Sequence, residues 1–185
     1  MSKKDFLTFL EIFIFLLFII PIRIFIFEPF FVQGKSMEPN YFSFDYLIVD
    51  KISYLFIEPK RGDVIVFKPP FNDKVYYIKR IIGLPGEKVV IENSKVIIYN
   101  KYYPNGFELK ESYLQGHYTS GFKEVILGKD EYFVLGDNRE ISSDSRSWGP
   151  VKKERIVGRV FFHFSFKKTL DSLKSIFKIK NEATI

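Results

Sequence analysis

Residues 6–27 form the one stretch apolar enough to enter a membrane, and this constrains everything that follows it. Only Thr8, Glu11, Pro21 and Arg23 interrupt it. Its 22 residues, at about 1.5 Å each, give roughly 33 Å of helix, enough to cross a hydrocarbon core. Glu11 lies about one turn inside the start and Arg23 near the far end, where each reaches an interface. Lys3 and Lys4 give the basic start of a secretory leader, but the apolar run is too long and no small-x-small cleavage site follows. The expectation is an uncleaved, single-pass anchor in the cell (cytoplasmic) membrane. Lys3 and Lys4 keep the N-terminus inside, although Arg23 and Lys35 blur the contrast. Residues 28–185 then lie outside the cytoplasm.

The 185 residues suit one globular domain plus an accessory segment. The chain has no cysteine, which excludes disulfides, cysteine nucleophiles and thiolate metal sites. Its two histidines, His117 and His163, cannot build a metal site of several imidazoles. A net charge of +6 fits a soluble basic surface or attraction to anionic lipid headgroups. A nucleic-acid partner is not expected, because the lysines are dispersed and no recognition motif accompanies them.

From residue 30 the pattern becomes β. Short apolar runs at 44–49, 64–67, 75–82, 89–92, 95–99, 131–135 and 156–164 are separated by turn residues. Asn93-Ser94 reads as a hairpin turn, Pro104-Asn105-Gly106 as another turn, and 106–130 as a surface excursion with one strand at most. The predicted fold is mainly β, packed antiparallel sheets or a partly open barrel, preceded by one transmembrane helix. The divisions are 1–29 (cytoplasmic tip and anchor), 30–166 (extracytoplasmic β domain) and 167–185 (basic tail). In the tail, Phe166, Leu170, Leu173 and Phe177 recur at helical spacing among lysines. That pattern suits an amphipathic helix on a membrane surface, a helix capping the domain, or a frayed end.

Ser36, between Gly34 and Pro39, reads as a serine in a tight exposed turn close behind the anchor. As a nucleophile it needs a base. Neither His117, in the irregular excursion, nor His163, between two phenylalanines, has the setting of a triad histidine. A neutral lysine is the alternative, and it must be desolvated. On strand 75–82 one face carries Val75, Tyr77, Lys79 and Ile81, with Lys79 its single charge. The other face carries Lys74, Tyr76, Ile78, Arg80 and Ile82 and reads as mixed and partly exposed. A third cluster runs from Gly136 to Gly149; there Asp144 and Arg146 can pair, and serine hydroxyls can bond an amine. From these residues alone, an edge or snorkelling lysine and a solvated loop are the more ordinary readings.

Together the residues carry a resemblance. Val32-Gln33-Gly34-Lys35-Ser36-Met37-Glu38-Pro39 resembles the serine box of the type I signal peptidases. Arg61-Gly62-Asp63-Val64-Ile65-Val66-Phe67 resembles their strand motif, and Tyr77-Ile78-Lys79-Arg80-Ile81-Ile82-Gly83-Leu84-Pro85-Gly86-Glu87 their lysine box. The segment from Gly136 to Gly149 is similar to their G-D-N-R-x-x-S-x-D-S-R-x-W-G box at every fixed position. The likeness spans roughly residues 1–165. It implies a serine–lysine endopeptidase acting on secretory precursors at small-x-small sites. By that likeness Ser36 is the nucleophile and Lys79 the base, Ser142 orients Lys79, and Asp144 and Arg146 form a bracing ion pair. It implies no metal or cofactor.

The chain departs from the family pattern at three points. Asn40-Tyr41 stands where Thr-Leu is common, Gly34 lacks a hydroxyl that some members use as a second oxyanion donor, and Glu87 replaces an aspartate. Two other readings stay open: a related serine–lysine protease with one or few substrates, and an inactive membrane-anchored binding module.

Overall fold

The computed structural model describes residues 3–21, 26–116 and 118–182, and the side chains of 4–20, 26–116 and 118–175 among them. Helix α1 (Lys3–Pro21) is 19 residues long, and its described side chains are exposed throughout. No described helix is both long and apolar enough to cross a membrane. The apolar run 6–27 coincides with α1 as far as Pro21. Residues 22–25, Arg23 among them, lie outside the described residues, and Phe27 already belongs to a strand.

Two antiparallel sheets follow. The larger has seven strands in the order β1 (Phe27–Phe31), β2 (Tyr46–Asp50), β11 (Ile156–Phe164), β3 (Val64–Phe67), β4 (Tyr77–Gly83), β9 (Glu131–Leu135) and β10 (Val151–Lys152). The smaller has four, in the order β7 (Tyr103–Glu108), β6 (Lys95–Asn100), β5 (Lys88–Glu92) and β8 (Lys123–Ile126). Among the described residues there are also two single-turn helices, α2 (Ser53–Phe56) and α3 (Ser145–Trp148), and a C-terminal helix α4 (Phe166–Glu182). The mainly β, antiparallel expectation holds. The large sheet curls into a half-barrel, and the Phe30 and Tyr76 rings meet across its opening at 5.3 Å. Pro29 fits β1 because β1 is an edge strand, where a missing N–H costs no ladder bond.

Strand β4 is buried on both faces only from Ile81 to Gly83; Ile78 and Arg80 are half-buried and Lys74 and Tyr76, just before it, are exposed, as the mixed face read from the sequence implies. Tyr77 and Lys79 pair with Phe67 and Ile65, on the face that also holds Ile81. That face packs with Tyr132, Val134, Val151 and Trp148. On the other face Ile82 joins Val89, Ile91, Val96, Ile98, Leu127, Phe133 and Leu135 in the core between the two sheets. Fully burying each such aliphatic side chain is worth about 1.5–3 kcal/mol, so the small sheet holds β4 from behind.

The hairpin of β5 and β6 turns at Asn93 and Ser94, both at positive φ, as two-residue hairpins require. The turn expected at Pro104–Gly106 is instead part of β7. The chain reverses earlier, where Asn100 Oδ1 accepts the N–H groups of Tyr102 and Tyr103, both at 3.0 Å. An asparagine cap decided the turn over the stronger-looking Pro-Asn-Gly signal. The 106–130 excursion likewise contributes the end of β7 and all of β8 to a real second sheet.

Candidate active site

Ser36 lies on the loop between β1 and β2. Backbone bonds close the base of that loop, from Val32 N to Asp45 O (3.0 Å) and from Phe44 N to Val32 O (2.8 Å). Inside it, Asn40 N and Tyr41 N both donate to Met37 O, at 3.1 and 2.9 Å. Met37 is fully buried, and Asp137 N approaches its Sδ at 3.4 Å. The serine turn is therefore pinned against the start of the loop after β9.

Lys79 reaches this turn from β4. Its Nζ lies 2.7 Å from Ser36 Oγ and 2.9 Å from Ile78 O. Only 3% of Lys79 is exposed, and burial pushes its pKa down to about 8. The charges of Asp144 and Asp137 work against that fall, yet neither pairs with the lysine. Each already has an arginine. Asp137 receives Arg80 through Nε at 2.8 Å and Nη2 at 2.6 Å. Asp144 receives Arg146 through Nε at 2.8 Å and Nη2 at 2.9 Å. The nearby carboxylates are spent on guanidinium groups, so desolvation decides the lysine's state.

The Asp144–Arg146 pair expected from sequence is present, and Asp144 also caps α3 and accepts Gly136 N. The expected hydrogen bond from Ser142 to Lys79 is not formed. Ser142 Oγ is buried and has no partner. Lys79 spends its contacts on Ser36 Oγ and the carbonyl of Ile78, the preceding residue on its own strand. His163 is engaged elsewhere, 2.7 Å from Asp45 Oδ2 at the base of the serine loop. His117 lies outside the described residues. Among the described residues, no group of acidic or imidazole side chains is arranged to hold a metal ion.

Beside the pair opens a cleft of about 620 Å³. One wall runs from Phe30 to Ser36, and the other from Lys74 to Lys79, with Ile141 and Ser143 at one end. Gly34 lies on the first wall at φ +90°. Space is open there, but the backbone conformation disfavours an L side chain, which accounts for the missing hydroxyl.

The family described as "Signal peptidase, peptidase S26" matches residues 6–165 of the chain. The chain belongs to the peptidase S26 signal peptidases. It is 40% identical over 152 residues to the "Probable signal peptidase I-2" of Synechocystis, spanning 78% of this chain and 66% of that protein. It is 40% identical over 151 residues to the "Signal peptidase I" of Bacillus caldolyticus, spanning 77% and 82% respectively. A crystal structure of a signal peptidase I from Enterococcus faecalis V583 matches with 32% identity and a TM-score of 0.48, covering 56% of this chain and 97% of that one. Membership in this family makes the chain a hydrolase of the signal peptidase I class, whose substrates are secretory precursor proteins.

Three residues within the recognised motifs support this site through contacts that the sequence did not give. Arg80, on the strand face that read as mixed, clamps Asp137 and also donates to Gly62 O at 2.9 Å. Arg139 is fully buried and pairs with Glu111, tying the loop before β8 to the loop after β9. A guanidinium on alternate strand positions was the only signal for the Arg80 contacts, and nothing local marked Glu111.

The third is Gly136. A methyl group there would strike Ser142 Oγ, Ser142 Cβ and the backbone oxygen of Ser36. That oxygen also accepts Asn138 N at 3.0 Å. Gly136→Ala is expected to push the serine turn away from Lys79. Overpacking of this kind costs about 1–3 kcal/mol of stability. If Ser36 reacts, a displacement near 1 Å there is expected to cost about 100-fold in kcat. Thermal melting and single-turnover cleavage measure the two effects separately.

Proposed function

We propose that this chain is a membrane-bound endopeptidase that removes N-terminal signal peptides, with Ser36 as nucleophile and Lys79 as its neutral general base. The observation that carries the reading is the 2.7 Å approach of Lys79 Nζ to Ser36 Oγ, with the lysine buried and unpaired by any described carboxylate. Ser36 Oγ attacks the scissile carbonyl carbon while its proton passes to Nζ. The tetrahedral oxyanion is held by the Ser36 backbone N–H. Collapse expels the amine, which takes the proton from the Lys79 ammonium, and leaves an ester on Ser36. Water, deprotonated by Lys79, then releases the signal peptide as a carboxylate.

Ser142 enters this cycle when Lys79 is charged. The ammonium has three N–H groups and two partners, and the unpartnered Ser142 hydroxyl is the acceptor we assign to the third. The Asp144–Arg146 pair braces that loop. Cleavage follows small residues at the first and third positions before the bond, read in the cleft beside Ser36. The exposed apolar side chains of α1 support its reading as the membrane anchor, N-terminus inside, with the β domain outside the cytoplasm. A serine in hydrogen-bond contact with a buried lysine does not suit an inactive binding module. The test is a detergent-solubilised assay on two precursors, one with alanine and one with phenylalanine at the third position before the bond. Equal cleavage of both overturns the specificity, and cleavage of neither overturns the activity.

Asn40, the departure from the common threonine, is a positioning residue in this scheme. Its Nδ2 donates to Asp137 Oδ2 at 2.8 Å and to Tyr113 O at 2.9 Å, fastening the serine loop to the clamp on Arg80. Asn40→Ala leaves Asp137 paired with Arg80, so the fold survives. A fall in kcat of about 10- to 100-fold with KM nearly constant is expected, and Asn40→Asp, which sets two carboxylates together, is expected to be worse.

A further inference from the structure

We propose that α4 is a second lipid contact, lying in the surface of an anionic bilayer beside the active site. The inference rests on the reading that the enzyme works at a membrane. Every described side chain of α4, from Phe166 to Ser175, is exposed, so the helix does not cap the domain. Phe166, Leu170 and Leu173 fall on one stripe at 3- and 4-residue spacing and are 51%, 56% and 47% exposed. The stripe continues onto the protein. Phe164, itself exposed, meets the Phe166 ring edge-on at 4.9 Å, and Phe162 is exposed on the same strand.

Charge distribution decides the occupant. Residues 167–182 contain Lys167, Lys168, Lys174, Lys178 and Lys180 against only Asp171 and Glu182. Lys167 and Lys174, seven residues apart, lie along one edge of the apolar stripe, and Thr169 lies on the other. An apolar stripe with lysines along its border is the pattern of a helix half-sunk among anionic headgroups. A helix docking on a second protein has no such need of five lysines against two acidic residues.

The helix is also mechanically joined to the serine loop. Lys168 Nζ donates to Asn40 O at 3.2 Å, and Lys167 Nζ stands 4.1 Å from the centre of the Phe42 ring. Seating α4 on lipid therefore fixes the loop that carries Ser36 relative to the bilayer surface.

The absence of cysteine makes the test clean. The full chain, carrying Leu173→Cys or Ser175→Cys, is labelled with an environment-sensitive fluorophore and reconstituted. The vesicles are phosphatidylcholine alone or an equal mixture with phosphatidylglycerol. The expected result is a blue shift and several-fold protection from acrylamide quenching at position 173, in the anionic vesicles, with position 175 still accessible. Lys167→Gln and Lys174→Gln are expected to weaken the apparent lipid affinity of the helix about fivefold per charge. Equal quenching at both positions in all vesicles overturns the proposal. So does protection at position 173 that appears in detergent and grows with protein concentration, which assigns the stripe to a second copy. Alkaline carbonate extraction reads α1 separately: release of the protein overturns the anchor without touching the comparison between the two labels.

Discussion

Alanine at Ser36 is expected to lower precursor cleavage by at least about 10⁴-fold, and methionine at Lys79 to lower it as far. The double variant is expected to be no worse than either single one, because a nucleophile without its base, or a base without its nucleophile, does nothing. Lys79→Met leaves an unbranched apolar chain one atom shorter in a site that is 3% exposed, so unfolding is not the expected cause of the loss. Its stability is expected to rise by about 1–2 kcal/mol at neutral pH, since a buried titratable amine gives way to an apolar chain. Single-turnover rates and denaturant melts measure the two quantities on the same samples. Cleavage surviving in either single variant would remove the dyad. Residual effects that multiplied in the double variant would mean that the two residues act independently.

Activity is expected to fall on the acid side as Lys79 takes up its proton. With a pKa of about 8, the neutral fraction drops tenfold per pH unit below that value. At pH 6, kcat/KM should stand about 100-fold under its alkaline plateau. The same residue ties stability to pH. A lysine titrates at 10.5 when unfolded and at about 8 here. Between those values the unfolded chain binds more protons, and stability rises with pH. Below pH 8 both states are protonated, and the fold carries the whole cost of a buried ammonium, about 3 kcal/mol. Stability gained between pH 8 and 10.5 should therefore be absent from Lys79→Met. A flat rate through mildly acidic pH would overturn the neutral-lysine mechanism.

The serine turn, β3 and the lysine strand were legible because local pattern and burial agree there. Val64–Phe67 is an unbroken apolar run with turns on both sides, and it is a central strand. Lys79 stood out as the one charge on an apolar face, and that face is buried. Arg80 misled for a related reason. A charged residue on alternate positions normally marks solvent, but here the Tyr113 ring lies against it and Asp137 neutralises it. The second sheet was hard to see because β7 carries Pro104 and Gly106, residues that ordinarily break strands. Ser142 shows the limit of reading by likeness. Its position in the motif is met, but its hydroxyl reaches no partner while Lys79 is turned to Ser36 and Ile78.

The clamp around Asp137 makes the Ser36–Lys79 arrangement depend on contacts far apart in the sequence. Ser36 and Lys79 are 43 residues apart, Arg80 and Asp137 are 57 apart, and Asn40 and Asp137 are 97 apart. Contacts of such long sequence separation form only after the intervening loops have closed, and closure is slow. A chain delivered N-terminus first presents its nucleophile early and its base and clamp afterwards. Until β9 and the loop beyond it have joined the sheet, the serine turn lacks the contacts of Met37, Asn40 and Ser36 O with Asp137 and Asn138 that pin it.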